Sequence, residues 1–394
     1  MGIVRTQEEE NERMEFEDFR QTLVAFAALE RRKQSEEFKG LSSHNADVDL
    51  EEKLVCVTSG VSFLGLAIVN RLLLRGYSVR ILVDNQDYYG HKNISLLVDI
   101  LSDSSDLIGT MGLIQNNAED VQKLREMERS GEMMACTNKI SVVMAKPTEI
   151  QGLMEAFDGC RGVFHTSAFA DPGGISGYSK SMAEIEVKAS ENVMKACART
   201  PSVRNCVLTS SLLACIWRDS TQHDLPTLVN HDCWSDESLC MDKKLWYALG
   251  KLKAEKVAWK IAEEMGIKLT TICPGLITGP EFSLRNPTAT IAYLKGAQEM
   301  YADGLLAIVD VSRLAEAHLS VFEEMNKTAF GRYICFDQVI KREEEAEKLA
   351  REMGMPSNKI CGDSFDIIPT RFDLSNKKLT NLMSRKLRCC YGES

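Results

Sequence analysis

Alternating apolar and amphipathic segments restrict the fold of this chain more than any other feature of its sequence. Short apolar runs of strand length are separated by stretches in which apolar residues recur at helical spacing. Such alternation predicts parallel strands joined by crossover helices that cover both faces of the sheet. The predicted strands are Leu54 to Val57, Ser78 to Val83, Ile140 to Met144, Gly162 to His165, Cys206 to Thr209 and Leu269 to Cys273.

This pattern predicts an α/β fold with a doubly wound parallel sheet over residues 54–275. A polar, methionine-rich stretch at about 86–137 interrupts the alternation, and we expect it to be a surface insertion. Residues 276–394 contain helix-like pieces at 289–300, 311–325 and 341–353. Because ligand clefts in such sheets open beyond the carboxyl ends of the strands, we expect 276–394 to form a smaller lobe that closes over a bound ligand.

Residues 1–53 form a separate acidic extension with 14 acidic and 8 basic residues. Its middle, 14–29, places apolar side chains at helical spacing and predicts an amphipathic helix. That helix could dock on the body of the protein or on a protein partner. Residues 40–49, rich in serine, asparagine and aspartate, are predicted to be a linker.

Composition excludes several classes of function. The net charge of −10 argues against a nucleic-acid partner, which requires clustered lysine and arginine. No apolar run is long enough to span a membrane, and the acidic residues at 8–20 are incompatible with a signal peptide. The 13 cysteines lack metal-binding spacing, so we expect reduced thiols, no metal site and a cytoplasmic location.

The turn from Thr58 to Gly65 lies between the first strand and the first helix and is rich in small residues. A helix N-terminus after such a turn can hold the pyrophosphate of a dinucleotide. Asp84 ends the second strand 19 residues after Gly65, where a side chain would meet the adenosine ribose.

Tyr247 and Lys251 are four residues apart, which places them on one face of the predicted helix that runs to Met265. A cation beside a tyrosine favours the ionised phenol and moves its pKa towards a value useful for acid–base chemistry. The spacing also occurs by chance, and a core tyrosine on an amphipathic helix is the alternative.

The order of these motifs resembles the extended short-chain dehydrogenase/reductases, in particular the plant cinnamoyl-CoA reductase and dihydroflavonol reductase group. The similarity covers roughly residues 54–385, without the insertion. It implies a Rossmann-type fold and a nicotinamide cofactor. The residues that carry it are Asp158 to Thr166, Thr209 to Ser211, Asp232 to Asp236, Trp246 to Lys251 and Val309 to Val311.

The resemblance also implies roles for individual residues. Ser211 would hydrogen-bond the substrate carbonyl oxygen, Tyr247 would exchange the proton on that oxygen, and Lys251 would lower the tyrosine pKa and bind the nicotinamide ribose. Ser210 is an adjacent alternative to Ser211. The expected cofactor-binding residues are Thr58, Ser59, Gly60, Ser62, Phe63, Leu64, Gly65, Asp84, Lys146, Thr166, Ser167 and Pro274.

The phosphate-binding turn departs from the pattern of the family, because Ser59 and Ser62 replace two of its three glycines. A Cβ at a position that needs positive φ or close approach to phosphate costs about 1 kcal/mol or more. We therefore expect weakened cofactor binding, partly offset where a serine hydroxyl bonds the pyrophosphate.

The nucleotide preference is open between NAD(H) and NADP(H). The resemblance implies NADP, whereas Asp84 would repel a 2′-phosphate and favours NAD. Lys146 stands where relatives carry an aspartate near the adenine, so we hypothesise an ion pair between Asp84 and Lys146 at the adenosine end of the site.

The resemblance implies reduction of a hydroxycinnamoyl-CoA or a related phenylpropanoid carbonyl, linked to lignin and defence. Leu245 and Ala248 depart from the family's tyrosine motif, and Ala289 and Ala292 replace two polar residues of the substrate wall. Ala248 also removes the expected thiol partner of Cys240. The alternative is a weakly active or inactive reductase-fold protein that senses a cofactor or binds a partner through helix 14–29.

Overall fold

The computed structural model describes residues 53–60, 62–83, 140–166, 178–218, 227–280, 282–362 and 371–390. The predicted helix at 14–29, the insertion at 86–137, Asp84 and Ser167 lie outside these residues. Their roles remain predictions.

A seven-stranded, all-parallel sheet forms the centre of the described structure. Its strand order is β3-β2-β1-β4-β5-β7-β10, and each neighbouring pair runs parallel. The predicted α/β fold with a doubly wound parallel sheet is confirmed. The strands are β1 Leu54–Val57, β2 Ser78–Val83, β3 Ile140–Met144, β4 Gly162–His165, β5 Asn205–Thr209, β7 Lys268–Pro274 and β10 Gly331–Cys335.

Five helices form the main layers on the two faces of the sheet. They are α1 Phe63–Leu74, α2 Ile150–Phe157, α3 Lys180–Arg199, α6 Trp246–Met265 and α10 Val311–Glu324. Helix α1 packs against α10, while α3 packs against both α2 and α6. Strand β1 shows why both faces are apolar: Val55 and Val57 enter one core cluster, whereas Cys56 enters the other. Alternate residues of a strand point to opposite faces, so a strand covered on both sides needs a continuous apolar run.

The seventh strand, β10, was missed by the sequence analysis and belongs to the segment assigned there to the smaller lobe. Its apolar pattern is broken by Arg332, which is buried and forms an ion pair with buried Glu255 on α6. A buried charge needs a partner from elsewhere in the fold, and sequence periodicity does not reveal that partner.

Further strands and helices connect and extend this sheet. A three-stranded sheet contains β8 Leu276–Thr278, β9 Ala307–Asp310 and β11 Gln338–Val339, and a two-stranded sheet pairs β6 Leu228–Val229 with β12 Asp373–Leu374. The remaining helices are α4 Leu213–Ile216, α5 Glu237–Asp242, α7 Phe282–Arg285, α8 Pro287–Tyr293, α9 Ala297–Ala302, α11 Glu343–Glu352, α12 Asn358–Cys361 and α13 Lys377–Cys390.

The single helix predicted over 289–300 is wrong, because α8 and α9 are separated at Gly296. This glycine has a φ of +87°, in the left-handed region that other residues adopt reluctantly. A Cβ there would also lie 2.6 Å from the Trp217 ring. Gly296 therefore ends one helix and lets the next begin against the indole.

No helix within the described ranges is long and apolar enough to cross a membrane. The same ranges contain no cluster of histidine, cysteine and carboxylate side chains suited to a metal ion.

Candidate active site

The predicted site residues gather at one edge of the main sheet. Thr58 follows β1, Lys146 follows β3, Thr166 follows β4, Ser211 follows β5 and Pro274 ends β7. Since all these strands run parallel, their carboxyl ends face the same side, where ligands of open α/β sheets bind.

The turn after β1 is built by a serine cap at the start of α1. The Ser62 hydroxyl accepts a hydrogen bond from the Gly65 backbone N–H at 3.1 Å and donates one to the Ser59 carbonyl at 2.7 Å. Serine is a favoured N-cap because its oxygen satisfies a backbone donor that the helix leaves unpaired. Ser62 thus closes the turn and fixes the first turn of α1, which begins at Phe63, three residues before the predicted start.

Neither serine in this turn carries the backbone strain expected from the sequence. Ser62 has φ −72° and ψ 164°, an extended conformation open to any residue. Lys244, with φ 52°, is the one non-glycine residue with positive φ in the described ranges. The prediction that positive φ at Ser59 and Ser62 would cost free energy is therefore wrong.

At Gly65 an added side chain would collide with the backbone of the turn itself. A Cβ on Gly65 would lie 1.9 Å from the Ser59 carbonyl oxygen and 2.9 Å from the Gly60 Cα. The backbone of helix α1 therefore packs directly against the turn, and dinucleotide-binding turns need this close packing.

Gly65→Ala is expected to weaken nucleotide binding at least tenfold, because the added methyl group must displace the turn backbone. Fluorescence titration with NADH and NADPH measures the loss. Gly354→Ala is the control for a general loss of stability: Gly354 lies outside this turn, its φ of +63° is one that alanine adopts reluctantly, and its Cβ would meet no atom within 4 Å. If Gly65→Ala bound both nucleotides as tightly as this control, the turn would not be the phosphate site.

Buried polar groups line the edge between β1 and β4. Thr58 Oγ1 lies 3.0 Å from His165 Nδ1 and donates to the Thr166 carbonyl at 3.3 Å. Burial and, secondarily, the positive charge of Lys251 lower the pKa of His165 to about 3, so its imidazole is neutral. His165 Nε2 and Thr166 Oγ1 are buried and find no hydrogen-bond partner among the described residues. Since buried polar atoms are costly to leave unpaired, this edge fits a polar ligand.

The two serines after β5 have different partners. The Ser210 hydroxyl donates to Glu255 Oε2 at 2.7 Å and is thereby tied into the core. Ser211 is also buried, but its Oγ accepts a local hydrogen bond from the Leu213 N–H, two residues later, at 3.2 Å. The following helix α4 packs against α6, which carries Tyr247.

Helix α6 places Tyr247 in its first turn and Lys251 one turn later. The Lys251 Nζ lies 5.5 Å from the centre of the Tyr247 ring, so the predicted pairing on one helix face is present. Tyr247 is partly exposed and packs against the apolar core, whereas the Lys251 side chain is only 4% exposed. Gly250 lets this face approach α3, because a Cβ there would lie 3.1 Å from the Ala183 Cα and 3.0 Å from the Tyr178 Oη.

A buried glutamate that the sequence analysis missed completes this cluster. Glu186 on α3 is 2% exposed, and its Oε1 lies 2.6 Å from the Lys251 Nζ. The Tyr178 hydroxyl donates a hydrogen bond to Glu186 Oε2. The Tyr178 ring packs edge-on against the Tyr247 ring, with centroids 5.0 Å apart and planes at 78°. The available signal was a charged residue at a position of α3 whose helical neighbours Ala183 and Ala189 are buried.

These contacts set the protonation of Tyr247. Burial raises the pKa of the Tyr247 phenol, Lys251 lowers it, and Glu186 raises it, with a raised value as the result. Burial lowers the pKa of Lys251, but the negative charges of Glu186 and an ionised Tyr247 outweigh it and raise that pKa. Lys251 lowers the pKa of Tyr247 as predicted, but burial and Glu186 together raise that pKa by more. The phenol is therefore protonated and the ammonium charged at neutral pH, the pair of states needed to give a proton to a substrate oxygen.

Two other predicted features concern Lys146 and the substrate wall. Lys146 Nζ lies 3.4 Å from Glu149 Oε1 on the surface. Its hypothesised partner Asp84 lies outside the described residues. At the substrate wall, Leu245 and Ala248 are buried, and Cys240 is a buried thiol whose pKa burial raises to about 12.

Comparison with known proteins gives consistent results in sequence and structure. Residues 55–330 match the NAD dependent epimerase/dehydratase family. Cinnamoyl-CoA reductase 1 of Petunia hybrida is 32% identical over 338 residues, which cover 84% of this chain and 86% of that protein. Tetraketide alpha-pyrone reductase 1 of Arabidopsis thaliana is 29% identical over 336 residues, covering 84% and 87%.

Solved structures share the fold. Vestitone reductase from alfalfa aligns with a TM-score of 0.54 at 22% identity, covering 84% of this chain and 91% of that one. The yeast methylglyoxal/isovaleraldehyde reductase Gre2, complexed with NADPH, aligns with a TM-score of 0.54 at 18% identity, covering 84% and 93%.

Proposed function

Because this chain belongs to the NAD dependent epimerase/dehydratase family and is an NAD(P)H-dependent reductase of the short-chain dehydrogenase/reductase type, we propose that it reduces a phenylpropanoid carbonyl compound. The substrate class is a hydroxycinnamoyl-CoA ester or a related aldehyde or ketone. The names of the two relatives cited above support a carbonyl substrate with an extended conjugated or polyketide chain.

The observation that carries this proposal is the protonated Tyr247 beside the charged Lys251 at the carboxyl edge of the sheet. In the proposed reaction Tyr247 donates its phenol proton to the carbonyl oxygen, and Ser211 donates a hydrogen bond to the same oxygen. Lys251 stabilises the tyrosinate that remains. These residues position and polarise the carbonyl group, and their effect is greatest in a site that excludes water.

The residues at the nucleotide end fit a dinucleotide. The close packing of α1 against the turn at Gly65 suits a pyrophosphate at the helix N-terminus, and the unpartnered Thr166 hydroxyl offers a polar contact at the next strand end. A nicotinamide cofactor bound there supplies the hydride, which side chains cannot provide. Ser210 is committed to Glu255, and this supports Ser211 as the serine that contacts the substrate.

The direct test uses the purified full chain. Titration with NADH and NADPH by fluorescence measures cofactor binding, and oxidation of each nucleotide is then followed with a panel of hydroxycinnamoyl-CoA esters, aldehydes and ketones. We expect binding in the micromolar range and turnover of at least one member of the panel. Tight cofactor binding with no turnover of any carbonyl compound would contradict the proposal.

We also propose that Asp84 favours NADH by repelling the 2′-phosphate of NADPH. Replacing it with alanine is expected to reduce the ratio of NADPH to NADH dissociation constants about tenfold, as one nearby charge repulsion is worth on the order of 1 kcal/mol. Asp158→Ala is the control, since Asp158 is exposed and precedes β4 at the opposite edge of the sheet. The same lack of preference in wild type and Asp84→Ala would refute this role.

A further inference from the structure

The ion pair between Glu186 and Lys251 is unusual because both side chains are buried. They are 2% and 4% exposed, and Glu186 Oε1 and Lys251 Nζ are 2.6 Å apart. Removing two charges from water is expensive, and such a pair often stabilises a fold less than an apolar pair of similar volume. Stability alone therefore gives a weak reason for a carboxylate at this position.

One member of this ion pair, Lys251, lies directly beside Tyr247, the proposed proton donor. Lys251 Nζ contacts the Tyr247 ring from the same helix, and Tyr178 contacts both Glu186 and Tyr247 from the start of α3. Two residues from other elements also interact electrostatically with this cluster. His165 is a neutral imidazole near Lys251, and Tyr293 of α8 is near enough to Tyr247 that an ionised Tyr247 raises the pKa of Tyr293. Glu186 is thus a carboxylate that acts on both Tyr247 and Lys251.

We propose that Glu186 is a positioning residue that anchors the Lys251 ammonium and keeps Tyr247 in its proton-donating form. This inference rests on the proposed role of Tyr247 as proton donor. The carboxylate acts in two ways. It fixes the direction of the lysine side chain through a charged hydrogen bond, and its negative charge opposes the formation of tyrosinate.

The charge of Glu186 favours the reductive direction of catalysis, in which Tyr247 donates a proton. When Tyr247 gives its proton to a carbonyl oxygen, the tyrosinate left behind lies near Lys251 and Glu186. The glutamate makes the phenol a weaker acid at rest but holds it protonated to higher pH, so the reductive direction stays active in alkaline solution. Burial already raises the pKa of Tyr247, and Glu186 adds to that rise.

Glu186→Gln tests this role, because it keeps the shape and removes the charge. Tyrosinate absorbance in the near ultraviolet is followed against pH in the full chain, and the same titration in a Tyr247→Phe background is subtracted. We expect the Tyr247 signal to appear about one pH unit lower in Glu186→Gln than in wild type, the size typical of one neighbouring buried charge. The alkaline limb of kcat/KM for carbonyl reduction should shift down with it.

Glu191→Gln is the matched control. Glu191 lies on the same helix and forms surface ion pairs with Lys188 and Lys195, away from Lys251. Both readouts should match wild type in this variant. Glu186→Asp keeps the charge but is one methylene shorter, so its shift should be smaller than that of Glu186→Gln. It provides the test if Glu186→Gln does not fold.

The spectroscopic readout needs no substrate, so it separates this inference from the proposed function. A lowered onset of tyrosinate absorbance supports the role of Glu186 even if no carbonyl compound in the panel is reduced. An onset that is unchanged or higher in Glu186→Gln, or equally lowered in Glu191→Gln, would overturn it.

Discussion

Replacing Tyr247 with phenylalanine is expected to lower kcat for carbonyl reduction by about 10²–10⁴-fold, the usual contribution of a positioned proton donor. The ring still fills its place against Tyr178 and the core, so the fold should remain intact. Binding of NADH or NADPH should change less than about threefold. Steady-state assays and fluorescence titration on the same preparation measure the two effects.

Tyr301→Phe provides the control for this substitution. Tyr301 is a partly buried tyrosine on α9 whose hydroxyl donates to the Lys341 carbonyl at 3.4 Å and makes no hydrogen bond to the proposed catalytic residues. Its loss should leave kcat within about twofold of wild type. Full activity in Tyr247→Phe would mean that another group supplies the proton.

The second large effect is expected at Glu255, where substitution by glutamine should destabilise the protein by about 3–5 kcal/mol. Glu255 is fully buried. Its Oε1 accepts from Arg332 Nε at 2.7 Å and Thr271 Oγ1 at 2.6 Å, and its Oε2 accepts from Ser210 Oγ at 2.7 Å. Removing its charge leaves the Arg332 guanidinium, 7% exposed, without its counter-ion. Urea unfolding measures the free-energy difference.

Two comparisons sharpen this result. Glu237→Gln removes a surface glutamate paired with Lys253 and Lys256, and should cost no more than about 1 kcal/mol. The double variant Glu255→Leu with Arg332→Met removes both charges and should be more stable than either single variant, because no buried charge is left unpaired. A Glu255→Gln cost as small as that of Glu237→Gln would show that the buried pair is dispensable.

This network also bears on the site. Ser210 is anchored by Glu255, and the Ser210 backbone N–H donates to the Ile272 carbonyl at 2.8 Å. The backbone that leads into Ser211 is therefore held in place by the contacts of Ser210. We attribute the rigid placement of the proposed substrate-binding serine to the core ion pair behind it.

The six strands expected from the sequence were predictable because each is a short, largely apolar run, and such runs depend only on local composition. The seventh was not, since Arg332 interrupts its pattern and is accepted only because Glu255, 77 residues earlier in the chain, meets it. Long-range compensation of this kind leaves no periodic trace.

The candidate site likewise combines a contact that local spacing predicts with contacts that depend on the fold. Tyr247 and Lys251 share a helix, so their spacing alone predicted that they would meet. Glu186 reaches Lys251 from a different helix, and its contact depends on the close approach that Gly250 permits. For Ser62, the sequence indicated a replaced glycine, but its benefit as an N-cap appeared only with the geometry of the turn. The motive for expecting an inactive cofactor sensor is weaker as a result.

The position of β10 at the edge of the main sheet has a consequence for how the chain matures during synthesis. The stretch that matches the family ends at residue 330, and β10 begins at the next residue. A nascent chain released only to that point holds Glu255 without its arginine and β7 without its outer neighbour. Such an intermediate exposes an open strand edge of the kind that promotes aggregation. We therefore expect the Glu255–Arg332 ion pair, and with it the anchoring of Ser210, to form only after Arg332 has been synthesised.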